Sequence, residues 1–286
     1  MDVNIEGSGG GSHIAPKSKY KKIEKFFPLC VDNFFDNPDI IVRYAKSLPK
    51  KSDPEGRWPG KRTELLWKIN KQLNDLILLK ILKCYYDLDY QSVFWERGNL
   101  AFQEISAFSK NKNDVRNKGW IHSDSDDQKK FPYELAGLIY LTPDIDPDAG
   151  TSLFTLKKRK DKEYKVENKQ IEKNILFKDS LVDKALYSKK MKEQEEFFIE
   201  KTRFANIYNR MIMYDANEFH RANSFYSGDE KNPRLTLAFF IGGLNAGIYS
   251  SDVFATITNL AFPLEKIKNK KHDDFIECLS IPKQDD

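Results

Sequence analysis

Cysteine is scarce in this chain, and what there is of it forms no pattern. Cys30, Cys84 and Cys278 are odd in number, far apart and in no metal-binding spacing, which argues against a disulfide framework and fits a reducing compartment. Long apolar runs are also missing: nothing approaches the roughly 20 consecutive residues that span a bilayer, and the N-terminus lacks the apolar core of a signal peptide. A soluble, cytoplasmic protein with no membrane partner is expected. Nor is there an excess of one charge. The 47 Lys and Arg against 43 Asp and Glu leave a net charge of +4, a dense but nearly balanced surface that argues against a nucleic-acid partner. There is no internal repeat, and 40% hydrophobic residues over 286 positions can fill the core of one globular domain.

Taken in order, residues 1–16 contain Glu-Gly-Ser-Gly-Gly-Gly-Ser and read as a flexible linker or fusion scar outside the fold. Residues 17–265 read as a single domain and 266–286 as a charged peripheral tail, after an apolar stretch at 248–264. A first strand is expected within 26–35. Asp36-Asn37-Pro38, followed by Ile40, Ile41, Tyr44, Ala45 and Leu48 at helical spacing, predicts a helix that Pro49 stops. Residues 52–62 are a loop, in which Trp58, between Arg57 and Arg62, either touches a substrate or anchors a rigid turn. Thr63 is expected to cap one long helix that buries Leu66, Ile69, Leu73, Leu76, Ile77, Leu82 and Tyr85.

From Gln91 the period changes. Val93-Phe94-Trp95 and residues 100–105 read as strands separated by a turn at Gly98-Asn99. Further strands are expected at 135–141, 151–154, 204–208, 210–214 and 235–241, with a turn at 144–150. Residues 157–203 hold 25 charged residues, 15 of them basic. They read as an inserted, solvated excursion with short amphipathic helices, or as a lid or partner-docking element. Two helices and then many short strands suggest a mainly β fold with flanking helices (α+β). The form expected is a double-stranded β-helix, a jelly-roll or cupin-like barrel with the N-terminal helices packed on one sheet.

Histidine is as scarce as cysteine, with four residues. His13 falls in the linker and His272 in a lysine-rich tail, which leaves His122 and His220. His122 and Asp124 are two positions apart, so on an extended segment both side chains leave the same face. His220 lies 96 residues after Asp124, beyond the apolar run at 211–214. Two imidazoles and a carboxylate are a facial metal set that leaves positions open, as in non-haem Fe(II) oxygenases. A lone His-x-Asp is more often a hydrogen-bonded surface pair, so the joint order carries the weight. Arg234, 14 residues after His220, heads an apolar strand, and an arginine is costly to bury there unless an anion such as a bidentate carboxylate meets it. Of Gln103 and Glu104 one must face inward, and Gln103 could reach cosubstrate or substrate. Trp120 either walls a pocket or is plain core.

His122-x-Asp124, His220 and Arg234-x-Thr236 resemble the signature of the Fe(II)/2-oxoglutarate-dependent dioxygenases. Ile139-Tyr140-Leu141 and Ala149-Gly150-Thr151 with Phe154 resemble segments of the prolyl 4-hydroxylase-like branch, with Ala149 in place of a first glycine. The match covers roughly residues 101–241 with 157–203 unmatched, and the pattern is similar to uncharacterised phage oxygenases, which would place a viral member in the host cytoplasm. The resemblance implies that His122, Asp124 and His220 bind Fe(II), that Arg234 pairs with the distal carboxylate of 2-oxoglutarate, and that Thr236 and Tyr140 add hydrogen bonds to it. It also implies dioxygen as cosubstrate, succinate as coproduct and hydroxylation of an unactivated C–H bond. Asp124 disfavours the related halogenases, and Phe240 stands where nucleic-acid demethylases carry a second arginine. Arg234 replaces the lysine of collagen-type prolyl hydroxylases. The expected substrate is a protein or peptide side chain, or else a free amino acid or other small molecule. The alternative is a non-catalytic cupin-like barrel that binds a ligand or partner.

Overall fold

The computed structural model describes residues 25–88, 91–125, 133–157, 184–227 and 232–248. The linker, His13, most of the 17–25 basic segment, Cys278, His272, the 266–286 tail and most of 157–183 lie outside the described residues. Among those described, Cys30 and Cys84 are free thiols, and no helix is long and apolar enough to cross a membrane.

The described chain is mainly antiparallel β. Its strands are β1 (Leu29–Val31), β2 (Lys51–Ser52), β3 (Lys61–Arg62), β4 (Gln91–Phe94), β5 (Arg97–Ile105), β6 (Tyr133–Tyr140), β7 (Thr151–Leu156), β8 (Phe198–Phe204), β9 (Met211–Asp215), β10 (Phe219–Ala222), β11 (Arg234–Gly242) and β12 (Asn245–Ile248). Seven pair in the order β1-β9-β6-β11-β5-β3-β2, three in the order β10-β7-β8, and β12 pairs with β4. Four helices accompany them: α1 (Pro38–Ser47), α2 (Leu66–Ile69), α3 (Lys71–Leu82) and α4 (Lys184–Glu195).

Alternation along the large sheet splits its side chains between two layers. On β11, Leu235, Leu237, Phe239 and Ile241 join one core with Ile41 and Ala45 of α1 and Leu73, Ile77, Leu78, Ile81 and Leu82 of α3. The helices therefore cover one face. The intervening positions Arg234, Thr236, Ala238 and Phe240 line a cleft on the other, where Ala136, Tyr140, Ile212 and Tyr214 pack with Leu153 and Phe204 of the small sheet. Each fully buried Leu or Ile of the helix layer contributes about 1.5–3 kcal/mol of transfer free energy.

Local chemistry explains the helix ends. Pro38 occupies the first turn of α1, and Leu48, ahead of Pro49, is already extended at φ −87° and ψ 141°, as the proline ring demands of its predecessor. The single long helix expected after Thr63 is two. Asn70 breaks it at φ −154° and caps α3, its side chain accepting from the Leu73 amide at 3.0 Å. Thr63 caps neither: its Oγ1 accepts from the Phe102 amide at 3.1 Å, stitching the loop to β5. Gly98-Asn99 is not a turn but lies inside β5, paired with Ile241 and Phe240, while the chain turns at Trp95-Glu96. The strand expected at 204–208 occurs earlier, as β8, so the charged segment 157–203 ends in a helix and a sheet strand rather than staying solvated throughout.

Gly137 sits mid-β6, where an added Cβ would lie 2.2 Å from the Ile212 carbonyl oxygen and 2.4 Å from the Phe239 ring. The ring could yield, but the carbonyl belongs to the β6–β9 ladder. Gly137→Ala should lower stability by about 1–3 kcal/mol, read as a reduced denaturant midpoint at unchanged slope.

Candidate metal centre

Residues 119–122 run beside β10, held by backbone bonds. The Gly119 amide donates to the Ala222 carbonyl at 2.9 Å, and His122 and His220 exchange reciprocal amide–carbonyl bonds at 3.0 and 2.8 Å. The two histidines are thus directly opposed, with ring centroids 4.4 Å apart. Asp124, two residues on, projects to the same side, its amide donating to the Ala216 carbonyl at 2.9 Å. Its carboxylate oxygens lie 3.7 Å from His122 Nε2 and 3.2 Å from His220 Nε2. One donor atom from each of the three residues falls within 4.8 Å of the other two, close enough to converge on one ion, since nitrogen and oxygen ligands sit about 2.0–2.2 Å from a transition metal.

Both imidazoles are oriented from behind. His122 Nδ1 is 2.8 Å from the Trp120 carbonyl and His220 Nδ1 is 3.0 Å from the Glu218 carbonyl. A carbonyl only accepts, so each neutral ring carries its proton on Nδ1 and turns the Nε2 lone pair toward Asp124, the arrangement metal-binding histidines use.

Of the other expected residues, the structure brings Arg234, Thr236, Gln103 and Trp120 to the same cleft, which encloses about 630 Å³ including its open mouth. Arg234 is 2% exposed, and its Nε and Nη2 have no hydrogen-bond partner. Burial pulls its pKa down, with Tyr140 and Tyr214 opposing. Tyr140 lies beneath, its ring 5.5 Å from the Arg234 guanidinium; its hydroxyl donates to Thr151 Oγ1 at 2.9 Å and its pKa is pushed up to about 12 by burial. Gln103 is already engaged, donating to the Pro59 carbonyl at 2.8 Å and accepting from Arg62 Nη2 at 2.9 Å. Trp120 is both wall and core, packed against Tyr187 and Met191 of α4.

Two residues escape the sequence. Gln194 of α4, fully buried, brackets the metal segment: its Oε1 accepts from the Ile121 amide at 3.0 Å and its Nε2 donates to the Ile121 carbonyl at 2.6 Å. Nothing in a charged run marks that glutamine. Arg62 also lines the cleft, and its only signal was the basic, aromatic loop it ends.

The described chain is thus a mainly β protein with a two-histidine, one-carboxylate candidate metal centre beside a buried arginine. It belongs to the family described as "Family of unknown function (DUF6445)", which residues 16–241 match. No curated protein matches it. Among solved structures it is similar to HygX from Streptomyces hygroscopicus with nickel and 2-oxoglutarate bound, at 12% identity and a TM-score of 0.42, over 77% of this chain and 82% of that one. A likeness that distant assigns no chemistry to the chain.

Gln194→Ala should weaken divalent-metal binding about 10–100-fold, as loss of such supporting contacts does, measured by calorimetry with Ni(II) on protein whose melting curve stays cooperative. Upstream, buried Asp114 is held well below the usual carboxylate range by the Arg116 guanidinium against the opposing pull of burial, with Lys184 of α4 nearby. A depressed carboxylate stabilises the fold above its unfolded pKa, near 3.8, and that stabilisation is lost as pH falls toward the folded value. Asp114→Asn should therefore melt lower than wild type at pH 7, and the gap should narrow below pH about 4.

Proposed function

We propose that this protein is a non-haem Fe(II)- and 2-oxoglutarate-dependent dioxygenase that hydroxylates an unactivated C–H bond, on a double-stranded β-helix related to the prolyl hydroxylase-like branch. The observation that carries the reading is that one cleft holds both a facial His122/Asp124/His220 set and a buried arginine with two unpartnered N–H groups. Each half is explained by the same bound pair. Leaving a guanidinium buried with donors unmade costs about 1–3 kcal/mol or more per group, and a carboxylate would take both donors. The donor set of two neutral nitrogens and one anionic oxygen suits Fe(II) and leaves open positions for a chelating keto acid.

His122 and His220 hold the ion through Nε2 and Asp124 through its carboxylate. Arg234, through Nε and Nη2, takes the distal carboxylate of 2-oxoglutarate, with Thr236 beside it on the same strand face. Tyr140, tied to Thr151, sits under that arginine and fixes its plane. Bound there, ferrous iron and 2-oxoglutarate supply oxidative hydroxylation with dioxygen, releasing succinate and carbon dioxide. Trp120, Leu138, Ala238 and Phe240 line the cleft with apolar surface, which strengthens charge interactions beside it. A side chain of a protein or peptide, or a free amino acid, is the substrate.

Metal-stripped protein titrated anaerobically with Fe(II) and then 2-oxoglutarate should develop a visible metal-to-ligand charge-transfer band that needs both additions. Asp124→Ala should lose the band, and Arg234→Ala should weaken 2-oxoglutarate binding about 100-fold, as expected when one partner of a buried charge pair is truncated. Folded, iron-loaded wild type without a band would refute the oxygenase reading and leave a ligand-binding barrel.

A further inference from the structure

Arg62 is the cleft cation that the oxygenase reading leaves unexplained. It is half-buried at the end of β3, and it is carefully held. One face of its guanidinium lies 4.7 Å from the Trp58 ring centroid, Phe240 is 5.7 Å away, and Nη2 donates to Gln103 Oε1 at 2.9 Å. Gln103 is in turn anchored on the Pro59 carbonyl. These partners are aromatic or neutral, so they orient the charge without cancelling it, and Nε is buried with no hydrogen-bond partner. Removal from water works against the guanidinium, lowering its pKa to about 10, and Asp124 and Asp53 are the carboxylates whose charge opposes this. Neither is at liberty to neutralise it. Asp53 is forked by Arg57, at 2.8 Å from Nη2 and 3.1 Å from Nε, and Asp124 faces the two histidines as a metal ligand.

On the proposed function, the divalent ion and Arg234 balance Asp124 and the dianionic keto acid. Arg62 is then the cation lining the cleft with no counter-charge among the described residues, and a desolvated guanidinium with an open N–H selects a carboxylate. We propose that Arg62 binds a carboxylate of the substrate, so that the cleft takes a small organic acid, such as a free amino acid, rather than a neutral side chain. The inference rests on the oxygenase reading, and it assigns the Trp58 loop the task of holding Arg62 in place.

The test uses the full chain with Fe(II) and 2-oxoglutarate under anaerobic conditions. The common L-amino acids and their carboxamides serve as matched probes, with binding read as a shift of the charge-transfer band and as thermal stabilisation. At least one acid should bind, with its amide at least about 30-fold weaker. Arg62→Gln should lower that acid's affinity about 100-fold, and Arg62→Lys, which keeps the charge but not the fork, should fall between. The 2-oxoglutarate midpoint should stay within about threefold of wild type in both variants, which also checks that the cleft is intact. The inference is overturned if acid and amide bind alike, if no acid of the panel binds, or if Arg62→Gln shifts the 2-oxoglutarate midpoint as much as it shifts the acid's. The two failures separate. A wild type without the band removes the oxygenase reading and this inference with it, whereas a normal band with indifference to the carboxylate removes Arg62 alone.

Discussion

The period of two along β11 is the constraint on which the described structure turns. One strand, flanked by β5 and β6, carries apolar residues for the helix layer on its odd positions and Arg234, Thr236, Ala238 and Phe240 for the cleft on its even ones. A slip of one residue would send Arg234 into a core of leucines and phenylalanines and present Leu235 to the cleft. The two faces enforce one another: burial of Leu237, Phe239 and Ile241 against α3 sets the register, and that register delivers the arginine. The core and the cleft therefore draw on alternate residues of the same strand.

Much of this was legible in sequence because a strand buried on both faces reads as a short, nearly continuous apolar run, in which a charge such as Arg234 stands out. The spacing of His122 and Asp124, the apolar run before His220 and the arginine heading an apolar strand named four residues that the fold brings to one cleft. Other features were not legible. The helix break at Asn70 rests on a side chain that caps, and asparagine serves turns as well as caps. Thr63 looked like a cap because its hydroxyl must bond something, and sequence cannot tell a helix amide from the Phe102 amide across a loop. Gly98 looked like a turn residue, whereas its lack of a Cβ serves the close approach of Leu78 and Trp95.

In the charged segment the burial is confined to a few side chains. A run dense in lysine and glutamate is solvated on average, yet it closes with β8 paired to β7 and with α4 resting on Trp120. Only three side chains of that helix, Tyr187, Met191 and Gln194, are buried. They recur at helical spacing but are outnumbered by charges, so the apolar stripe is too thin to stand out from the polar face around it.

The bracket of Gln194 around Ile121 joins positions 73 residues apart, and the ladder facing His122 with His220 closes a span of 98. Contacts of such separation form only after long stretches of chain have surrendered their freedom, so a fold dominated by them assembles slowly. The three ligands have no reason to meet in a partly folded chain. The centre is consequently a late product of folding, and an ion seated there would act as a clasp, slowing the opening of segments that took longest to bring together.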